Sequence, residues 1–219
     1  MRCGAADATM EIIMTIIILS AIIPLMSTQP GRKQLTHERI VATAARAIRR
    51  AGFHGVGVAD IMKEAGLTHG GFYAHFATRN ALLAEALEQA GQEGAASLAK
   101  GVASRQARGA SPFRALVESY LSERHLRSAE SGCPVAALAS EMPRQADEVR
   151  KAAAQRVRRL VKTVGVALGC DGDTESAAVV AGQLVGALQL ARALGDSVEG
   201  RALLAASRRA LLAQYETVS

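Results

Sequence analysis

The residues best suited to chemistry lie between Ile61 and Phe76, in the stretch IMKEAGLTHGGFYAHF. Thr68, His69, Tyr73 and His75 bring hydroxyl and imidazole donors together, and Lys63 and Arg79 add positive charge on either side. Donors of this kind serve phosphate oxygens and base edges. Covalent chemistry is poorly supported. No Walker loop, paired metal-ligand motif or nucleophile elbow is present, so no catalytic residue, metal or cofactor is expected. His125 and Cys133 are too far apart across a helix end to be read as a base and a nucleophile. The cysteines, Cys3, Cys133 and Cys170, are odd in number and widely spaced, which points to reduced thiols rather than a disulfide framework or zinc site. Cys133, in Ser131-Gly132-Cys133-Pro134, is either a small buried residue before a proline or a thiol that senses electrophiles or oxidants.

The elements that hold these donors are helical. The chain has 219 residues, 49% hydrophobic and 3% aromatic, with no Trp, so its core must be built from Ala, Leu, Val and Ile. That composition favours helices, and strand and hairpin signals are nearly absent. The fold class expected is all-α. Thr36 is placed to cap a first helix running to about Ala51, with Ile40, Val41, Ala44, Ala47 and Ile48 on its buried stripe. Arg39, Arg46, Arg49 and Arg50 are read as surface residues. A second helix is expected over Val58–Ala65 and a third over His69–Phe76, with Gly66 breaking the chain between them. Two short helices meeting at a tight turn form a helix-turn-helix, which places its second helix in the DNA major groove. Phe72 and Phe76 face inward, leaving Thr68, His69, Gly70, Tyr73 and His75 outward. Residues 31–80 hold eight Lys/Arg against three acids, so the formal charge of +6 is concentrated around this reader.

The segment GFHGVGVADIMKEAGLTHGGFYAHFATRNALLAEAL resembles the signature of TetR/AcrR one-component repressors. Ile61, Ala65, Gly66, Thr68, Gly70, Phe72, Tyr73, His75, Phe76 and Leu82 match, and the resemblance is strong over about Thr36 to Leu87. It implies that Thr68, Tyr73, His75 and Arg79 contact the DNA backbone, while His69 and Gly70 lie where bases are approached. Lys63 is a further candidate phosphate contact. The chain departs from the pattern at Gly57, where the family has a capping Thr, at Met62 for Ala, and at Arg79 for Lys.

The remaining residues read as a helical regulatory region. A connector from Thr78 to about Ala103 is expected, bent by Gly91, Gly94 or Gly101. A helix follows from Ser111-Pro112, then a short one after Pro134, then one from Pro143 to about Leu168. Arg156 falls in that last helix's apolar register with Val149, Ala153 and Leu160, whereas Arg144, Arg150, Lys151, Arg158, Arg159 and Lys162 read as a solvated face. SGCPVAALASEM resembles a segment that lines the effector chamber in one TetR subgroup, so Tyr120, Cys133, Leu138 and Met142 are expected at a pocket for a small apolar or amphipathic molecule. The last two helices, about Thr174–Leu194 and Ser197–Glu216, carry Ala178, Gly182, Val185, Gly186, Leu204 and Leu211, which are expected to form a four-helix dimer seam.

The expected organisation is an apolar extension over 1–30, a DNA-binding domain over 31–80, and an effector-binding and dimerisation domain over 81–219. Ile12 to Met26 is too short to span a bilayer comfortably, and Met26 opens a polar lead-in. Residues 1–25 therefore read as a mis-assigned start or disordered extension, with a membrane anchor as the rival. The function expected is a cytoplasmic, homodimeric repressor, with no catalytic activity and no obligate membrane partner. It would leave a palindromic double-stranded operator when a small molecule binds. The alternatives are a thiol sensor using Cys133 and a membrane-tethered regulator.

Overall fold

The computed structural model describes residues 31–169 and 174–216, all in helices and their connections, with no strand among them. The N-terminal apolar run and Cys170 lie outside the described residues. The chain divides into two compact units, 1–37 and 38–219. The first contributes, among described residues, only the opening of α1 (Arg32–Ala51). Thr36 is not a cap, because the helix starts a turn earlier and the Thr36 hydroxyl donates to Arg32 O at 2.8 Å.

The second unit begins with the rest of α1, followed by α2 (Val58–Glu64) and a 3₁₀ segment, His69–Ala74. The expected third α-helix is thus a tighter turn. Gly70 and Gly71 lower α-helical propensity there, and Gly71 N–H bonds Thr68 O at 3.1 Å in the three-residue pattern. α3 (Arg79–Gln106) follows without a break, capped by Thr78 Oγ1, which accepts from Ala81 N–H at 3.0 Å. The helix runs unbroken through Gly91, Gly94 and Gly101, and the first two are contact notches. A Cβ on Gly94 would lie 2.9 Å from Gly132 O, and one on Gly91 would collide with the Arg156 guanidinium. Packing against these neighbours offsets the propensity cost of about 1 kcal/mol per glycine.

α4 (Pro112–Tyr120), α5 (Glu123–Arg127) and α6 (Pro134–Leu138) are short. α7 (Asp147–Leu168) then crosses α3, after a 3₁₀ turn at Met142–Arg144 takes the place of the helix start expected at Pro143. α8 (Thr174–Ala193) and α9 (Val198–Tyr215) complete the unit.

Two apolar clusters hold these helices. One joins Ile40, Ile48, Phe53, Ile61, Phe72, Leu83 and Leu87 to Val135, Leu138, Met142 and Val149. Side chains of the reader and of the regulatory region thus share one core, which continues across position 80. The other joins Leu116, Tyr120 and Leu121 to Val164, Leu184, Leu188, Leu204 and Leu211. Leu204 and Leu211 are buried within their own chain, so they are not free for a partner.

Arg49 overturns its surface reading, being only 4% exposed. Its guanidinium donates to Ala45 O at 2.9 Å and to Ala90 O and Gly132 O, both at 3.3 Å, and pairs with Glu93. A buried charge needs this degree of satisfaction. A second tie runs the other way: Phe53 N–H donates to Glu141 Oε2 at 2.9 Å, beneath Gly52, whose φ of 77° requires glycine.

Candidate nucleic-acid interface and chamber

The reader is a thin polar layer on an aromatic base. Phe72 and Phe76 are buried and stacked, with centroids 5.6 Å apart. This base turns Thr68, His69, Gly70 and Tyr73 outward, and Tyr73 is 73% exposed. Thr68 holds the cap position in extended conformation and is exposed, and its side chain makes no capping bond. Lys63 is exposed on α2, whereas His75 is half-buried, against the outward placement expected. Gly57 caps α2 without a side chain of its own; Asp60 instead accepts from Gly57 N–H at 3.3 Å. Arg79 is drawn inward. Its Nη2 donates to Phe53 O and, at 3.1 Å, to Val56 O, so this arginine braces the α1–α2 turn.

Behind the reader lies a cavity of about 950 Å³ between α3, α4 and α7. Tyr120 and Cys133 line it as expected. Leu138 and Met142 do not; they belong to the core that the reader shares with the regulatory region. The walls are largely apolar, from Leu98, Val102, Leu116 and Leu160 among others. At one end His125 is held as a neutral ring. Its Nδ1 lies 2.7 Å from Tyr120 O, its Nε2 accepts from Cys133 N–H at 3.0 Å, and burial lowers its pKa to about 4. Burial pushes the Tyr120 phenol well above its ordinary value, with the neighbouring Cys133 adding to the effect. Among the described residues the Tyr120 hydroxyl has no hydrogen bond of good geometry, and its near neighbour is the Cys133 thiol. Arg192 closes this corner, donating to His125 O at 2.8 Å.

Sequence reasoning missed three cationic residues in the wall: Arg156, Arg159 and Lys162. One signal was available. Arg156 occupies the apolar register of α7 shared with Val149, Ala153 and Leu160. Its side chain is 5% exposed, and Glu88 Oε2 lies 2.7 Å from its Nη2.

The outer surfaces of α8 and α9 are small and apolar. Ala178 and Gly182 are exposed and Val185 and Gly186 half-buried, while Ala202, Ala206, Ala210 and Ala213 are partly or fully exposed on α9's outer side or rim. A Cβ on Gly182 or Gly186 would meet nothing within 4 Å. Nothing within the described residues of this chain therefore requires glycine at either position.

Known proteins share this arrangement. A family profile described as "Bacterial regulatory proteins, tetR family" matches residues 40–98, and one described as "Tetracyclin repressor-like, C-terminal domain" matches residues 109–206. An uncharacterized HTH-type transcriptional regulator of Mycobacterium tuberculosis is 31% identical over 116 residues, covering 52% of this chain and 57% of the relative. The match thus spans little more than half of that relative's length. A TetR-family regulator from Agrobacterium tumefaciens has the same fold, with a TM-score of 0.68 at 22% identity, over 85% of this chain and 100% of the other. AibR, solved with isovaleryl coenzyme A and operator DNA, aligns with a TM-score of 0.57 at 16% identity, over 84% of this chain and 100% of its own. Between them the two profiles take in most of residues 40–206, and the chain belongs to the tetR family of bacterial regulatory proteins.

Proposed function

We propose that this protein is a cytoplasmic, homodimeric, non-enzymatic repressor that leaves a palindromic operator when a small molecule fills the chamber. The observation that carries the reading is the outward row Thr68, His69, Gly70 and Tyr73 on its Phe72–Phe76 base. Thr68, Tyr73 and Lys63 are assigned to phosphates, and His69 and Gly70 to base edges. His75 and Arg79 act mainly by bracing the reader. The domain division proposed is a reader over 31–80 and a regulatory region over 81–219, coupled through their shared core.

A dimer is supported by α8. It is apolar enough by length and composition to cross a membrane, yet only 33% of its apolar window is buried in this chain. Its uncovered side holds Ala178, Gly182 and Gly186, small enough for close approach by a second copy, whereas Val185 packs against the core of its own chain. Two copies place two readers about one DNA turn apart. The test is a gel shift with DNA from upstream of the gene, at rising salt. Salt-dependent binding by residues 26–219 is expected, and no binding at low salt overturns the reading.

Cys133 supports a second reading as a thiol sensor, because it lines the chamber beside the Tyr120 hydroxyl. Cys133→Ser should then abolish release by quinones or aldehydes. Unchanged release removes the idea.

A further inference from the structure

The charge of the chamber wall is one-sided. Among the described residues Arg156, Arg159 and Lys162 line it, and no Asp or Glu does. One carboxylate stands behind them. Glu88 contacts Arg156 at 2.7 Å and Arg159 at 2.9 Å, and its Oε1 also accepts from Gln92 at 3.2 Å. One negative charge is thus shared between two guanidinium groups. Arg156 is nine-tenths buried or more, and among the described residues its Nε and Nη2 find no hydrogen bond of good geometry, even beside Glu88. Burial lowers its pKa and Arg159 adds to that, while Glu88 opposes. Gly91 lets the side chain lie flat against α3. Buried donors left in this state favour an acceptor that carries charge.

The rest of the wall is complementary to a hydrocarbon body. Leu98, Val102, Leu116 and Leu160 offer apolar surface, and the uncharged polar lining includes Gln106, Tyr120 and Thr163.

We infer that the chamber takes an amphipathic anion, an apolar body with one carboxylate or phosphate head, and that Arg156 and Arg159 receive the head. This rests on the chamber being the effector site, and it names the chemical class of the effector. A planar guanidinium binds either head by paired N–H donors. A neutral molecule of the same shape would leave the cationic cluster uncompensated.

The test uses the full chain and direct calorimetry, without DNA. The probes are decanoate, decyl phosphate, decanol and decyltrimethylammonium. Decanoate or decyl phosphate should bind at least about tenfold tighter than decanol, as a charge-assisted hydrogen bond implies. Their ratio tells which head is preferred. The ammonium should bind weakest. Arg156→Met should erase the preference for the anion while leaving decanol affinity in place. Glu88→Gln removes the competing carboxylate and should strengthen anion binding several-fold, a gain that general damage to the fold would not give. Equal binding of decanol and both anions, tighter binding of the ammonium, or weaker anion binding in Glu88→Gln overturns the inference. Failure of the repressor reading is distinguishable, because it appears as absence of operator binding by the ligand-free protein.

Discussion

Replacing Arg49 with methionine removes a cation that ties the reader to the chamber. The side chain is 4% exposed and donates to Ala90 O and Gly132 O at 3.3 Å, besides pairing with Glu93. Each lost bond to a buried carbonyl costs about 1 kcal/mol. Breaking a buried ion pair costs about 3–5 kcal/mol when the remaining charge stays dry. Glu93 is not dry, being 31% exposed, and it keeps the Gln89 amide at 3.1 Å. The net loss should therefore be about 3 kcal/mol, near the lower end of that range. Urea denaturation with an unchanged m-value measures it. A cycle with Glu93→Gln isolates the pair and should give a coupling of at least about 1 kcal/mol. A loss below about 1 kcal/mol, or additive single effects, refutes the view that this arginine is a structural tie.

Acid should weaken the fold through His125. Its folded value of about 4 lies below the ordinary 6.5, so the folded state holds the neutral ring while the unfolded chain takes a proton first. Stability is therefore full above about pH 6.5, falls as pH drops toward about 4, and levels off below, for a total of about 3 kcal/mol. His125→Gln should flatten that part of a pH–melting curve. Tyr73→Phe should weaken operator binding about fivefold on every DNA sequence, with no change in melting temperature, because the hydroxyl is exposed. Lys63→Ala should lower the salt slope of binding by about one counterion. Gly182→Arg should raise the dimer dissociation constant by about two orders of magnitude in sedimentation equilibrium, because an unpaired charge at a seam costs several kcal/mol.

Local patterning located the helices and the reader because both depend on short-range spacing. Phe72 and Phe76 are four apart, and Gly66 and Thr68 mark the turn between the two short elements. The failures share a physical cause. Periodicity identifies an apolar stripe but not which core receives it. Leu138 and Met142 are apolar and close to Cys133, yet they pack under the reader. Leu204 and Leu211 belong to a helix apolar on more than one side, and they face their own chain. Arg49 looked like a surface cation because its acceptor, Gly132 O, is 83 positions away. The glycines of α3 suggested a bend because the residues that pack on them, Arg156 and Gly132, are also remote in sequence.

The Gly132–Cys133 peptide is where chamber and reader meet. Its carbonyl accepts from Arg49 of α1 at 3.3 Å, and its N–H donates to His125 Nε2 at 3.0 Å. His125 also lies in the chamber wall, as do Tyr120 and Cys133. A ligand that reorients this corner must strain or break one of those two bonds. It then acts on α1 without touching it. Binding alone is not enough, since only a ligand with different affinity for the two arrangements shifts their balance. Linkage makes the effect reciprocal: operator DNA must weaken the ligand by the same factor that the ligand weakens the operator. Arg49→Met and His125→Gln each cut one bond to this peptide, so each should shrink that factor, even where ligand and operator still bind separately. Calorimetry with and without operator measures it. A factor unchanged in both variants would mean that the signal runs through the shared apolar core instead.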